Sequence, residues 1–63
     1  MNKRVSLTIH IESAGNATIR DGTGQTVGVI EGWTLFVNGD RLADVSTYHE
    51  AIDLTRTALE KRT

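Results

Sequence analysis

The sequence contains no cysteine and no proline, and it has one Trp, one Tyr and one Phe among its 63 residues. Without cysteine, a disulfide framework, a thiolate metal site and a thiol nucleophile are all excluded. Small secreted domains usually depend on disulfides, so this absence favours a cytoplasmic protein, or one that gains stability by oligomerising. No run approaches the ~20 apolar residues of a membrane span, and no apolar signal region follows the basic start at residues 1–4. We therefore expect no membrane association.

The short length argues against catalysis. A chain of this size buries only about 60% of its unfolded surface, so most apolar residues are needed for the core and little volume remains for a substrate cleft. The two histidines, His10 and His49, do not have a spacing known for metal ligands, and no nucleophile triad can be picked out. We predict a single domain, residues 1–63, that is not an enzyme and has no catalytic, metal or cofactor-binding site.

Alternating apolar and polar residues predict a series of short β-strands. Residues 4–12 alternate strictly, and further strand patterns lie at 17–20, 25–31, 33–37 and 40–45, separated by turn-forming residues. The last segment has helical spacing instead. The pattern predicts an α+β fold, in which a small antiparallel sheet of four or five strands in meander order packs on one C-terminal α-helix.

The alternation also predicts which side chains face the core. In the first two strands the expected inward residues are Val5, Leu7, Ile9, Ile11, Ala17 and Ile19. In the third strand we expect Val27 and Val29 to point inward and Ile30 to lie on the opposite face.

Asn38-Gly39 is the strongest hairpin signal, because both residues tolerate positive φ. With a two-residue loop, the expected cross-strand pairs are Phe36 with Arg41, Leu35 with Leu42 and Trp33 with Asp44. Leu35 and Leu42 would then line the core, and Phe36 would lie on the outer face. A one-residue bulge would exchange these roles. We favour the first register because it buries more apolar side chain.

Ser46 or Thr47 is expected to cap the C-terminal helix. The residues from Thr47 to Glu50 fit a capping box, in which Glu50 reaches back to the N–H of the cap residue. Helical spacing places an apolar face on this segment. Its members are Tyr48, Ala51, Ile52, Thr55, Ala58 and Leu59, with Leu54 at the margin.

The net charge of −1 disfavours a generally basic nucleic-acid binder, but the charges are unevenly distributed. Successive turns of a meander alternate between the two ends of the sheet, so the acidic residues are predicted to collect at one end. This candidate partner-binding set consists of Glu12, Glu31, Asp44, Glu50 and Asp53. The helix dipole and ordinary turn composition are an alternative explanation that requires no function.

The outer face of the sheet is a second candidate surface, formed around Arg20, Ile30, Phe36 and Arg41. Phe36 with the two arginines would suit single-stranded nucleic acid, whose bases stack on aromatic rings. Two other readings stay open. This face or an edge strand makes a homodimer, or the apolar residues here are ordinary surface residues with no role.

Residues 32–59 resemble a recurrent small pattern, in which a Trp-led strand and a Gly turn precede a helix that opens with Ser/Thr and Glu-Ala. The resemblance is carried by Gly32-Trp33-Thr34-Leu35-Phe36-Val37-Asn38-Gly39, then Ser46 and Glu50-Ala51-Ile52. Small bacterial and phage domains show this pattern, and so does the arm-binding domain of tyrosine integrases, a three-stranded sheet with a helix. The integrase likeness implies basic and aromatic residues on the sheet, for which this chain offers only Arg20 and Arg41 beside Phe36.

In size, lack of cysteine, sheet-plus-helix design and acidic patch, the chain also resembles phage and mobile-element proteins directed against host systems, including anti-CRISPR proteins. That resemblance implies a protein that blocks a larger nucleic-acid-binding complex by presenting carboxylates where phosphates would sit. Our leading hypothesis is a cytoplasmic interaction protein that docks on a larger host protein and inhibits or modulates it, steered by charge. The alternative is a small nucleic-acid-binding module that uses the outer sheet face.

Overall fold

The computed structural model describes residues 6–61, which form one sheet and one helix. The elements are β1 (Leu7–Ser13), β2 (Asn16–Asp21), β3 (Thr26–Glu31), β4 (Thr34–Val37), β5 (Asp40–Asp44) and α1 (Tyr48–Lys61). The strands follow one another in the order β1-β2-β3-β4-β5, and each is antiparallel to the next. The predicted α+β meander is confirmed. The expectation for Val5 lies outside the described residues.

The core lies between the sheet and α1. Ile19, Ile30 and Leu35 are the largest fully buried apolar side chains, and they come from three neighbouring strands. The predicted inward positions of Ala17 and Ile19 are confirmed. The inner face of the sheet is therefore the one that α1 covers, and the outer face has no second layer of described residues.

A bulge in β3 reverses part of the predicted alternation. Ile19 pairs with Gly28, whereas the next residue of β2, Arg20, pairs with Thr26, so Val27 is an additional residue in β3. A bulge shifts every later side chain to the other face. Val29 consequently lies on the outer face and Ile30 is 1% exposed in the core. The prediction for these two residues was wrong, and the bulge is the reason.

A second bulge changes the β4–β5 hairpin. The loop has two residues as predicted, because Val37 pairs with Asp40 and Phe36 pairs with Arg41. Beyond this point Leu35 pairs with Ala43 rather than with Leu42, and Leu42 is 43% exposed. The favoured register was therefore wrong at its far end. The expected pair of Trp33 with Asp44 was wrong too, because Asp44 pairs with Thr34 and Trp33 lies in the preceding turn at φ 65°.

The first strand is less buried than its alternation predicts. Leu7 and Ile9 pack against the core, but Ile11 is 49% exposed, so its predicted core position was wrong. Two features account for this. β1 is an edge strand, and its register with β2 shifts between Ile11 and Ser13, which bends the end of the strand at Glu12.

Thr47 is the residue that caps α1. Its hydroxyl oxygen accepts a hydrogen bond from the N–H of Glu50 at 3.1 Å. The Glu50 carboxylate accepts a hydrogen bond from the N–H of Ser46 at 2.9 Å. The capping box predicts the N–H of the cap residue itself as this donor, and Ser46 is one residue before the cap. The predicted apolar face is confirmed: Ala51 and Thr55 are buried, and packed around them are Tyr48, Ile52, Leu54, Ala58 and Leu59.

Candidate functional site

The outer face of the sheet carries a continuous row of side chains across all five strands. Its members are cross-strand neighbours in turn: His10, Thr18, Val29, Phe36 and Arg41. Val29 and Phe36 form the half-buried apolar centre of the row, with polar or charged residues on either side. We call this set the central row. The sequence predicted Phe36 on this face but missed Val29, because the bulge at Val27 places Val29 outside.

A parallel row lies beside it at the end of the sheet where β3 turns into β4. Thr34 pairs with Glu31 on one side and with Asp44 on the other, so two exposed carboxylates flank one threonine. The Thr34 hydroxyl donates a hydrogen bond to the Asp44 carboxylate at 3.0 Å. Each cross-strand step spans about 5 Å between Cβ atoms, so the two acids lie on the order of 10 Å apart.

Glu12 extends this acidic row towards β1. It lines the same shallow hollow as Glu31, together with Asn16, Thr18 and Val29. The Asn16 side chain closes the end of the sheet, where its carbonyl oxygen accepts a hydrogen bond from the N–H of Gly32 at 3.2 Å. We call Glu12, Glu31 and Asp44 the carboxylate surface. The meander brings these three predicted residues to one end of the outer face.

The other two predicted acids lie on the helix, which packs against the opposite face of the sheet. The Glu50 carboxylate is engaged at the start of α1, where it accepts the Ser46 N–H. Asp53 lies 3.5 Å from the His49 imidazole and 3.6 Å from the Arg56 guanidinium. The five predicted residues are thus divided between two layers of the molecule.

The alternative surface is only partly assembled. Ile30 is buried in the core, so its predicted place on this surface was wrong. Phe36 and Arg41 are direct cross-strand neighbours, while Arg20 lies in the next row, paired with Thr26. The guanidinium of Arg41 is 3.3 Å from the Asp44 carboxylate, so this cation is in contact with the carboxylate surface.

The Asp21 carboxyl group, at the other end of the molecule, has a lowered pKa. The Thr23 hydroxyl donates to Asp21 Oδ1 at 2.6 Å, and this hydrogen bond is the largest cause of the lowered pKa of Asp21. The backbone N–H groups of Gln25, Thr23 and Gly24 add to the lowering, and desolvation opposes it. Asp21 therefore organises the β2–β3 turn.

Within residues 6–61 no three His, Asp or Glu side chains are grouped so that they could hold a metal ion. Across the same residues, every buried side-chain polar atom has a hydrogen-bond partner. The described helix is not long and apolar enough to cross a membrane.

No family model matches the chain, and neither a curated protein nor a solved structure is significantly similar to it.

Proposed function

We propose that this chain is a small non-enzymatic interaction protein that docks on a larger protein through its outer sheet face. The observation that carries the proposal is the juxtaposition on that face: the carboxylate surface lies directly beside the apolar centre of the central row, formed by Val29 and Phe36. Protein interfaces combine an apolar centre with a charged or polar rim. This arrangement suits a partner that offers an apolar contact beside a basic groove.

The partner class follows from the charge. Three carboxylates at one end of a sheet face suit a groove lined by Lys and Arg, and nucleic-acid-binding proteins have such grooves for phosphates. Carboxylates seated there would exclude the nucleic acid and so inhibit the partner. We propose this mechanism, with the cytoplasm as its location. A phage-encoded, anti-CRISPR-type inhibitor of a host nucleic-acid-binding complex is its most concrete form.

A competition experiment tests this proposal. Fluorescent target DNA is bound to purified CRISPR effector complexes of several types, and the chain is titrated in while anisotropy is recorded. We expect displacement of DNA from at least one complex, weakening with salt because the contacts are charged. Failure to displace DNA from any complex removes the anti-CRISPR form. Docking on another protein is then tested by capture from bacterial lysates, in which the wild type is compared with the Glu31→Lys and Asp53→Lys variants.

Two charge reversals distinguish the outer face from the helix. Glu31→Lys changes the carboxylate surface, whereas Asp53→Lys makes the same change of charge on the opposite layer. Both positions are exposed. We expect only Glu31→Lys to lose displacement and capture, because the helix does not face the partner. Equal losses for the two variants would show that total charge, rather than the outer face, governs binding.

A nucleic-acid-binding module is the second candidate, and the direct pairing of Phe36 with Arg41 favours it. Base stacking on Phe36 and phosphate contacts to Arg41 and Arg20 would give binding with a steep salt slope. The adjoining carboxylates oppose it, because they repel phosphates. Labelled oligo(dT) at low salt tests this candidate. An anisotropy rise that Phe36→Ala abolishes supports it, and an unchanged anisotropy removes it.

A further inference from the structure

The two edges of the sheet differ in regularity. β5 is interrupted by the bulge at Leu42, and a bulge on an edge strand hinders the addition of another strand. β1, at the other edge, has its irregularity near its end, between Ile11 and Ser13, and pairs with β2 without interruption from Leu7 to Ile11. Among residues 6–61, β1 pairs on this one side only. Its other side therefore presents a regular row of backbone hydrogen-bonding groups.

The side chains of this run lack the usual protection of an edge strand. Natural edges carry Lys, Pro, a bulge or an inward-pointing charge. Residues 7–11 contain no Lys, Arg, Asp, Glu or Pro. On the inner face, Leu7 and Ile9 are half-buried and Ile11 is 49% exposed, so α1 leaves the apolar edge incompletely covered.

We propose that β1 pairs with β1 of a second copy of this chain, antiparallel about a two-fold axis at Ile9, so that two sheets join into one of ten strands. Ile9 then faces Ile9 of the second copy, and Leu7 faces Ile11. On the outer face, Thr8 lies opposite His10. The exposed Ile11 of each copy is covered by Leu7 of the other.

The pattern of β1 selects this register. Centring the axis on Ile9 pairs all three apolar inner-face residues with one another within the uninterrupted run from Leu7 to Ile11, whereas an axis at Thr8 would place Ile11 opposite residue 5, which lies outside the described residues. An axis at His10 would place Leu7 opposite the polar Ser13, so that Leu7 would lack an apolar partner. With the axis at Ile9, Glu12 faces the uncharged Ser6, so no residue from 6 to 12 meets a like charge.

The size of the interface sets the expected strength. Stable complexes bury about 1,200–2,000 Å² in total, and a single pair of short strands buries less than that. The dimer is therefore weak and depends on protein concentration. Because the axis is perpendicular to the sheet, both outer faces lie on the same side, and both carboxylate surfaces remain accessible.

Sedimentation velocity over a range of concentrations tests the proposal. Among residues 6–61, Ile11 and Leu42 are the two exposed large apolar side chains, one on each edge, and they make a matched pair. We expect the sedimentation coefficient of the wild type to rise with concentration. Ile11→Lys is expected to raise the dissociation constant by on the order of tenfold or more, which corresponds to about 1.4 kcal/mol. Leu42→Lys is expected to leave it unchanged.

Three results would overturn the proposal: a wild type that stays monomeric up to ~1 mM, equal weakening by both variants, or weakening by Leu42→Lys alone. Circular dichroism of both variants checks that each is folded. Both substitutions are at exposed positions, so loss of structure is not expected.

Disulfide formation tests the register separately, because the chain has no cysteine of its own. Thr8→Cys and His10→Cys variants are mixed and oxidised. We expect the mixed dimer to form faster than either homodimer, because positions 8 and 10 lie directly opposite each other in this register. Faster formation of the His10→Cys homodimer would place the axis at His10 and overturn the register proposed here.

Discussion

The ring of Trp33 lies 4.9 Å from the ring of Tyr48, centroid to centroid, with 34° between their planes. This contact joins the β3–β4 turn to the first residue of α1. The same end is closed by backbone hydrogen bonds, in which Trp33 N–H donates to Gly15 and Val45 N–H donates to Trp33. The β1–β2 turn, the β3–β4 turn and the connection from β5 to α1 thus contact one another at this end of the sheet. The carboxylate surface lies at the same end.

The Tyr48 hydroxyl gives the first prediction. It accepts a hydrogen bond from the N–H of Gly15 at 2.9 Å and donates one to the carbonyl of Ser13 at 3.2 Å. Tyr48→Phe leaves the Gly15 N–H without this acceptor, so we expect a loss of about 1–2 kcal/mol in the free energy of unfolding. Urea denaturation measures it. His49→Ala, at the neighbouring exposed position, is the control and should change the free energy by no more than about 0.5 kcal/mol.

A pair of glycines gives the second prediction. Gly15 has φ 79°, and an added Cβ would lie 2.8 Å from Trp33 Nε1. Gly24 has φ 87°, but nothing lies within 4 Å of an added Cβ. Gly24→Ala should therefore cost only the left-handed conformation, about 1–2 kcal/mol. Gly15→Ala should cost more, because the indole ring must also move. Equal midpoints in urea would contradict this steric account.

The helix cap gives the third prediction. Thr47→Ala removes the hydroxyl that accepts the Glu50 N–H, and we expect a loss of about 1 kcal/mol. Ser46→Ala is the matched control, because Ser46 contributes its backbone N–H rather than its side chain. Thermal unfolding followed by circular dichroism compares the two. A larger effect of Ser46→Ala would mean that the cap is one residue earlier.

The fourth prediction concerns pH. The pKa of Asp21 in the folded chain is lowered below its usual 3.8 by the Thr23 hydroxyl. At low pH the unfolded state therefore binds its proton more readily than the folded state does. The stability from this carboxylate is present above the unfolded pKa and is lost as pH falls through the folded one.

Unfolding in urea between neutral pH and pH ~2 measures this. Asp21→Asn should remove part of the stability loss below pH 3.8. Asp40→Asn provides the comparison, because Asp40 is an exposed acid at the first position of β5. An identical pH profile for wild type and Asp21→Asn would contradict the role assigned to Asp21.

The sequence predicted the order and class of the elements better than it predicted the facing of individual residues. Alternation and turn residues identified five strands and a helix, since both are local properties. The errors at Ile30 and Leu42 have one cause. Ile30 follows the one-residue bulge at Val27, and Leu42 is itself the bulged residue of β5. A bulge depends on how two strands fit together rather than on either strand alone. Gly28 beside Val27 was the available signal, because glycine inside a strand often marks a bulge.

For the candidate site too, the sequence predicted the placement of the elements better than the surroundings of individual side chains. The meander alone was enough to predict that Glu12, Glu31 and Asp44 share one end of the sheet. The capping box already indicated that Glu50 is engaged at the start of the helix, although Glu50 was also included in the partner-binding set. Sequence could not show that Val29 joins Phe36 in the apolar centre of the outer face, because that depends on the register of β3.

Docking through the carboxylate surface is tested most directly by measuring the affinity of the chain for the partner that it captures or inhibits. Calorimetry compares Glu31→Lys with Asp40→Lys, which makes the same change of charge at the opposite end of the sheet. We predict that Glu31→Lys weakens binding by on the order of tenfold or more, while Asp40→Lys has little effect. Equal affinities for Glu31→Lys and the wild type would contradict the account.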